Sequence, residues 1–317
     1  MKLKTLLSKF YDFVFAPQPV HTVALLRIGL GLLLLFNWWM IVTDLDVLYG
    51  PQGMISLQTA QQYGNPFRFS LFDYIPHTDK NTFTLAIINL LAVLGVLSGT
   101  FTRFSIAVAF VTLVSFHHRN GFILNSADSV LRIFLFFLFF TPSGDLWSVD
   151  RFRKKLKGTA PAIPVDKSPW ALRLIQLQFC TIYVATVLFK IKGEKWIDGT
   201  AIYTATRIDE FVRFPLPLLN DLTMIKLLTW STLIVEFALG TLVWFKETRY
   251  WVLLAGVALH LGIEYTMSIP VFEWAMIVSM SAMIDPKDLA RWVQVFKEKK
   301  FHLSWRPSWT YFQQKNS

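Results

Sequence analysis

The residues best placed to do chemistry lie in the run QLQFCTIYVATVLFKIKGEKWIDG, from Gln176 to Gly199. An apolar helix there ends on Lys190, and Gly193, Trp196 and Gly199 follow at once. Gln176, Cys180, Tyr183, Val187 and Lys190 are spaced by four, three, four and three residues, so one helix face carries all five. Two roles are open to the lysine. It can end the helix, with its stem along lipid and its amine at the interface. It can also face a bundle interior, where an ionisable side chain marks a site. Other polar groups gather around segment ends. His117, His118, Asn120 and Asn125 flank one connection, His260 and Glu264 are one turn apart, Glu273 opens a late helix, and Glu236 lies mid-helix. Each could instead be an interhelical hydrogen bond. Adjacent histidines point to different faces and no HExxH spacing exists, so no metal site is expected. No P-loop, GxGxxG or nucleophile elbow is present, and Ser148 in WSVD has no base that the sequence places beside it.

The elements that must hold these groups are apolar. The chain has 317 residues, 54% hydrophobic and 16% charged, with mean hydropathy +0.44. Soluble domains carry about 25% charged residues, so lipid is the main solvent. The 29 Phe and 12 Trp suit side chains that face lipid and head groups. A net charge of +10 would suggest nucleic acid in a soluble protein; here topology signals and contacts with anionic lipid account for it, and no nucleic-acid partner is expected. With Cys180 as the only cysteine, no internal disulfide can form. The first residues lack a signal peptide's apolar core and cleavage site, so the first span itself would target the chain.

Residues 1–20 read as an interfacial segment, with Lys2, Lys4 and Lys9 among Leu6, Leu7, Phe10, Phe13 and Phe15. Spans are expected at roughly 21–42, 83–99, 103–118, 126–142, 170–190, 224–245, 250–267 and 270–284, the first long enough for the ~30 Å hydrocarbon core. Arg27 is expected to snorkel from the start of the first. Asp128 and Arg132, at i and i+4, are expected to pair. Residues 43–81 read as a polar connection with a turn at PQG, residues 151–169 as a basic, proline-rich cytoplasmic loop, and 285–317 as a basic cytoplasmic tail on the membrane surface. Eight spans place both termini on one side. Nineteen Lys and Arg fall on that side against seven on the other, so the termini are cytoplasmic. The fold class is all-α, a polytopic membrane helical bundle of about eight helices. Lys190, His117, His118, Asn120, Asn125, His260, Glu264 and Glu273 then lie towards the extracytoplasmic leaflet, with Glu236 nearer the middle of its span.

Several runs, taken in order, carry a resemblance. RIGLG at 27–31, YGPQG at 49–53, DSVLR at 128–132, TPSGDLWSVD at 141–150, FKIKGEKWIDGTA at 189–201 and ALHLGIEYTMSIPVFEW at 258–274 resemble the HTTM (horizontally transferred transmembrane) family, whose best-known members are the vitamin K-dependent gamma-carboxylases. The resemblance implies a bacterial inner-membrane protein whose site faces the extracytoplasmic side. It implies a reduced vitamin K or menaquinol-like quinone as cofactor, with O2, and with CO2 if carboxylation follows. Lys190 matches the segment that holds the carboxylase base, and an amine shielded from water can act as one. Asn120 or His118, together with His260, become its hydrogen-bonding partners, with Tyr183, Trp196, Glu264 and Asn125 around the quinone, and Gly193 and Gly199 turning the backbone behind the lysine. Two departures follow. Asn120 stands where the carboxylases have a catalytic histidine, and about thirty residues after the last span are too few for their substrate-binding domain. The alternative implied by short relatives is a non-catalytic protein that assists maturation or export of a peptide.

Overall fold

The protein is described by a computed structural model over residues 2–64 and 67–302, with side chains for 4–64 and 67–298. Met1 and the last part of the basic tail, 303–317, lie outside the described residues. Those residues form fifteen α-helices and no strand, apart from isolated bridges between Gln18 and Lys167 and between Val212 and Met267. The fold is all-α.

Helix α1 (Lys2–Phe15) carries Leu6, Leu7, Phe10 and Tyr11 exposed, and the prolines at 17 and 19 keep it from continuing. Then come α2 (His21–Val42), the short α3 (Leu45–Tyr49) and α4 (Leu57–Tyr63), and the hairpin α5 (Asp79–Ser98) and α6 (Thr102–Arg119). The chain continues through α7 (Ser126–Phe139), α8 (Val149–Leu156) and α9 (Trp170–Lys190), then the one-turn helices α10 (Glu194–Ile197) and α11 (Ala201–Ala205). It closes with α12 (Leu222–Gly240), α13 (Arg249–Thr266), α14 (Phe272–Met280) and α15 (Pro286–His302).

Helices α2, α5, α9 and α12 are long and apolar enough to cross a membrane. Antiparallel α6, α7, α13 and α14, each shorter or more polar, complete the bundle around one buried core. That core runs from Leu26, Leu30 and Leu34 through Phe134 and Phe179 to Met276 and Met280. Chain direction puts the C-termini of α2, α6, α9 and α13 and the N-termini of α5, α7 and α14 at one end, called here the upper end, which also carries α3 and α4.

Three local expectations are corrected, and one connection is filled in. Arg27 does not snorkel: it is fully buried. Its Nη1 donates to Val96 O at 2.6 Å and Leu97 O at 2.7 Å, Nη2 to Trp147 O at 2.6 Å and Nε to Ser143 O at 3.1 Å. The orphan carbonyls ending α5 and the loop before α8 thus meet one guanidinium. Asp128 does not pair with Arg132; it completes a capping box with Asn125 and lies 3.4 Å from His117. The connection at 43–81 holds α3 and α4. The loop at 151–169 opens as a helix because Ser148 accepts from Arg151 N at 3.0 Å, while Arg153, Lys154 and Lys155 complement the negative end of α8. Ser148 is therefore a helix cap.

Candidate functional site

Lys190 is the last residue of α9, and its surroundings follow from how α9 meets α12. Gly240 fits against α9 so closely that a Cβ there would lie 2.7 Å from Val184 Cγ2. This contact fixes the register of the two antiparallel helices, and Glu236, one turn before Gly240, comes level with the lysine. Lys190 Nζ donates to Glu236 Oε1 at 2.5 Å. The lysine side chain is 21% exposed and the glutamate 8%, so the pair sits at the wall of the bundle with the amine on the accessible side. The amine also lies 4.5 Å from the centroid of the Trp196 ring, in cation–π range. Trp196 is held by the turn that follows α9. Gly193 has extended backbone (φ −91°, ψ 126°) that any residue can adopt, whereas Gly199 sits at φ +83° with its bare Cα against Lys226 and Trp230. Trp230 Nε1 donates to Ile197 O at 3.2 Å, tying α10 to α12. The second oxygen of Glu236, Oε2, is buried without a partner among the described residues.

Seven residues back on α9 is Tyr183, two turns or ~10 Å along the axis. Its hydroxyl is 2.8 Å from His260 Nε2 on α13, and His260 Nδ1 bonds Glu273 Oε2 at the start of α14. All three side chains are buried. With the glutamate ionised, Nδ1 carries the proton and donates to it, and Nε2 accepts from the tyrosine hydroxyl. Phe179 stacks edge-on against Tyr183 and Phe272 against His260, with centroids 4.9 Å and 6.5 Å apart. The Lys190–Glu236 pair and this Tyr–His–Glu chain share α9, and Tyr183 lies within electrostatic reach of both Glu236 and Glu273.

The other expected site residues lie elsewhere. Asn120 donates to Leu48 O at 2.9 Å and accepts from Phe122 N at 3.3 Å, linking α3 to the end of α6. His118 spends Nδ1 on the backbone of Phe69. Asn125 caps α7 and reaches Pro270 O at 3.4 Å. Glu264 pairs with Arg213 at 2.6 Å rather than with His260. Asn120 and His118 thus bond the backbone at Leu48 and Phe69, and no contact joins them to Lys190 among the described residues. The YGPQG run is held from the same place: fully buried Arg119 donates through Nη2 to Gly50 O at 2.9 Å and Ile55 O at 2.7 Å.

Sequence reasoning did not join Glu236 to the lysine or Glu273 to His260. Thirteen residues separate His260 from Glu273, with the turn from α13 to α14 between them; two intramembrane charges flanking one turn were the available signal. No local sequence pattern announces the Gly240–Val184 contact that sets the α9–α12 register and brings Glu236 to Lys190.

The model of the HTTM domain matches residues 15–287, most of the chain. No curated protein and no solved structure matches. The match spans every helix of the bundle and both halves of the polar site, and the protein, whose apolar helices suit a bilayer, belongs to the HTTM domain family.

Proposed function

We propose that this protein is an inner-membrane enzyme of eight spans with both termini cytoplasmic, and that the Lys190–Glu236 pair takes a proton from a reduced quinone at the extracytoplasmic leaflet. The observation that carries the reading is the buried, unpartnered Oε2 of Glu236 beside the lysine. A buried carboxylate oxygen without a donor costs free energy, and a phenolic O–H is a donor of the right kind. Trp196 gives an aromatic wall at the same place, and exposed Phe189 and Ile191 leave it open to an apolar ligand.

The carboxylate refines the lysine's role. With Lys190 Nζ donating to Oε1 at 2.5 Å, the atom left to accept is Glu236 Oε2, and Lys190 holds the carboxylate in place. Tyr183, backed by His260 and Glu273, supplies a second hydroxyl on the same helix and a route for a proton along the chain of hydrogen bonds. A quinol held between Glu236 Oε2 and the Trp196 ring would supply the electrons for reduction of dioxygen, one oxygen atom entering the ring as an epoxide and the other leaving as water. Asn120 and His118, bonded to the segment 48–73, take no part in this step. Carboxylation with CO2 would require a protein substrate in addition.

The test uses purified protein in liposomes with reduced naphthoquinone and oxygen, read by mass spectrometry for quinone epoxide. Epoxide from the wild type and none from Lys190→Ala supports the reading. No epoxide from folded wild-type protein with several quinones overturns it and favours the peptide-maturation role.

A further inference from the structure

Arg132 lies six residues into α7, ~9 Å along the helix from Ser126, and its guanidinium has no acceptor among the described residues. Other arginines of the bundle are treated differently. Arg27 and Arg119 are met by backbone carbonyls, and Arg173 by Phe13 O and Gln176 Oε1. An ionisable side chain inside a spanning helix is costly unless something pairs with it. The expected partner, Asp128, is turned towards His117 and the α7 cap.

Arg132 opens instead into a cavity of about 320 Å³ near the upper end, between α4, α6 and α7. Tyr63, Arg68, His118, Phe122 and Leu124 line it with Arg132. Two further features point to a ligand. His118 uses only Nδ1, on Phe69, and its Nε2 has no partner among the described residues, although the Arg132 charge reaches the ring. His117 Nδ1, on the same wall, is buried and unpartnered. Arg68 is already neutralised by Asp73, so the excess positive charge of the cavity is that of Arg132. The rim is aromatic: Tyr63 and Phe122 are each 70% exposed. A cation with spare donors behind an exposed apolar rim, in a bundle that lies in lipid, matches an anionic head group with an acyl tail.

We propose that this cavity holds the phosphate head group of an anionic phospholipid, with Arg132 as its counter-ion and His118 as a second donor. The proposal is independent of the quinol chemistry, since neither Lys190 nor Glu236 lines the cavity. The test is native mass spectrometry of the full chain released from phosphatidylcholine nanodiscs doped with phosphatidylglycerol. Wild type is expected to retain one phosphatidylglycerol more than Arg132→Gln does, with occupancy of that lipid falling about tenfold, as loss of one charge-assisted pair implies. If Arg132→Gln does not fold, Phe122→Asp replaces it, setting a carboxylate at the exposed rim; it is expected to lose the same lipid. Equal retention in wild type and both variants overturns the proposal. So does displacement of the lipid by inorganic phosphate alone, which would assign the cavity to a soluble anion.

Discussion

Glu236 and Lys190 meet across the α9–α12 interface, with Oε1 at 2.5 Å from Nζ and Oε2 left without a partner. The two oxygens have different duties. One holds the lysine amine; the other is the atom to which the proposed chemistry assigns the proton. Removing one partner of such a pair leaves a largely buried charge, which costs about 3 kcal/mol, whereas removing both costs much less. Lys190→Met and Glu236→Leu should therefore each lower the thermal midpoint in detergent, and the double variant should recover most of the loss. Additive losses would show that the two side chains are not coupled.

Tyr183 donates to His260 only while Glu273 holds the imidazole in the Nδ1–H form. Tyr183→Phe deletes one hydroxyl and leaves a buried ring nitrogen bare, a cost of about 1–3 kcal/mol. Glu273→Gln keeps the shape but removes the charge that selects the tautomer. Both should reduce epoxide yield while leaving quinone binding intact, as measured by titration of tryptophan fluorescence. Loss of binding in Tyr183→Phe would place the tyrosine in ligand recognition instead.

Arg27 satisfies four carbonyls at once. Arg27→Lys offers a single point donor for a forked set of acceptors, and Arg27→Leu offers none. The leucine variant should lose more than ~4 kcal/mol, among the largest effects a single substitution has, and should not be recovered as a monodisperse particle in detergent. Wild-type behaviour of Arg27→Leu would mean that water can replace the guanidinium.

Asp150 accepts from Phe101 N, Thr102 N and Thr102 Oγ1, each at 2.8 Å, and so fastens α8 to the start of α6. Burial alone would push its carboxyl up, but these hydrogen bonds and Arg153 outweigh that and hold it below its ordinary 3.8. A depressed carboxyl contributes stability above its ordinary value, and the contribution is lost as pH falls through the folded one. Asp150→Asn should thus lower the midpoint at neutral pH by about 2 °C, and the gap to wild type should close below pH 3.8. A gap that persists in acid would contradict the assignment.

The apolar runs made the helical membrane bundle legible, and the α9 stripe placed Gln176, Cys180, Tyr183 and Val187 on a face that the structure buries. What was not legible concerns partners. Arg27 looked like an interfacial arginine because it stands near the start of a span, yet the α5 carbonyls it serves lie about seventy residues away. Asp128 and Arg132 have pairing geometry, but the helix cap takes the carboxylate first. Likewise Lys190 pointed to a site, while its glutamate depended on a glycine contact, Gly240 on Val184, that no local pattern announces.

The measurement that bears most directly on the central claim is the epoxide yield of Glu236→Gln in liposomes with reduced naphthoquinone and oxygen. The glutamine can still accept from Lys190 but cannot serve as the proton acceptor. A fall of roughly a hundredfold or more, the usual worth of a positioned base, is the predicted result. Wild-type yield from Glu236→Gln would contradict the account and leave no proton-accepting role for this carboxylate.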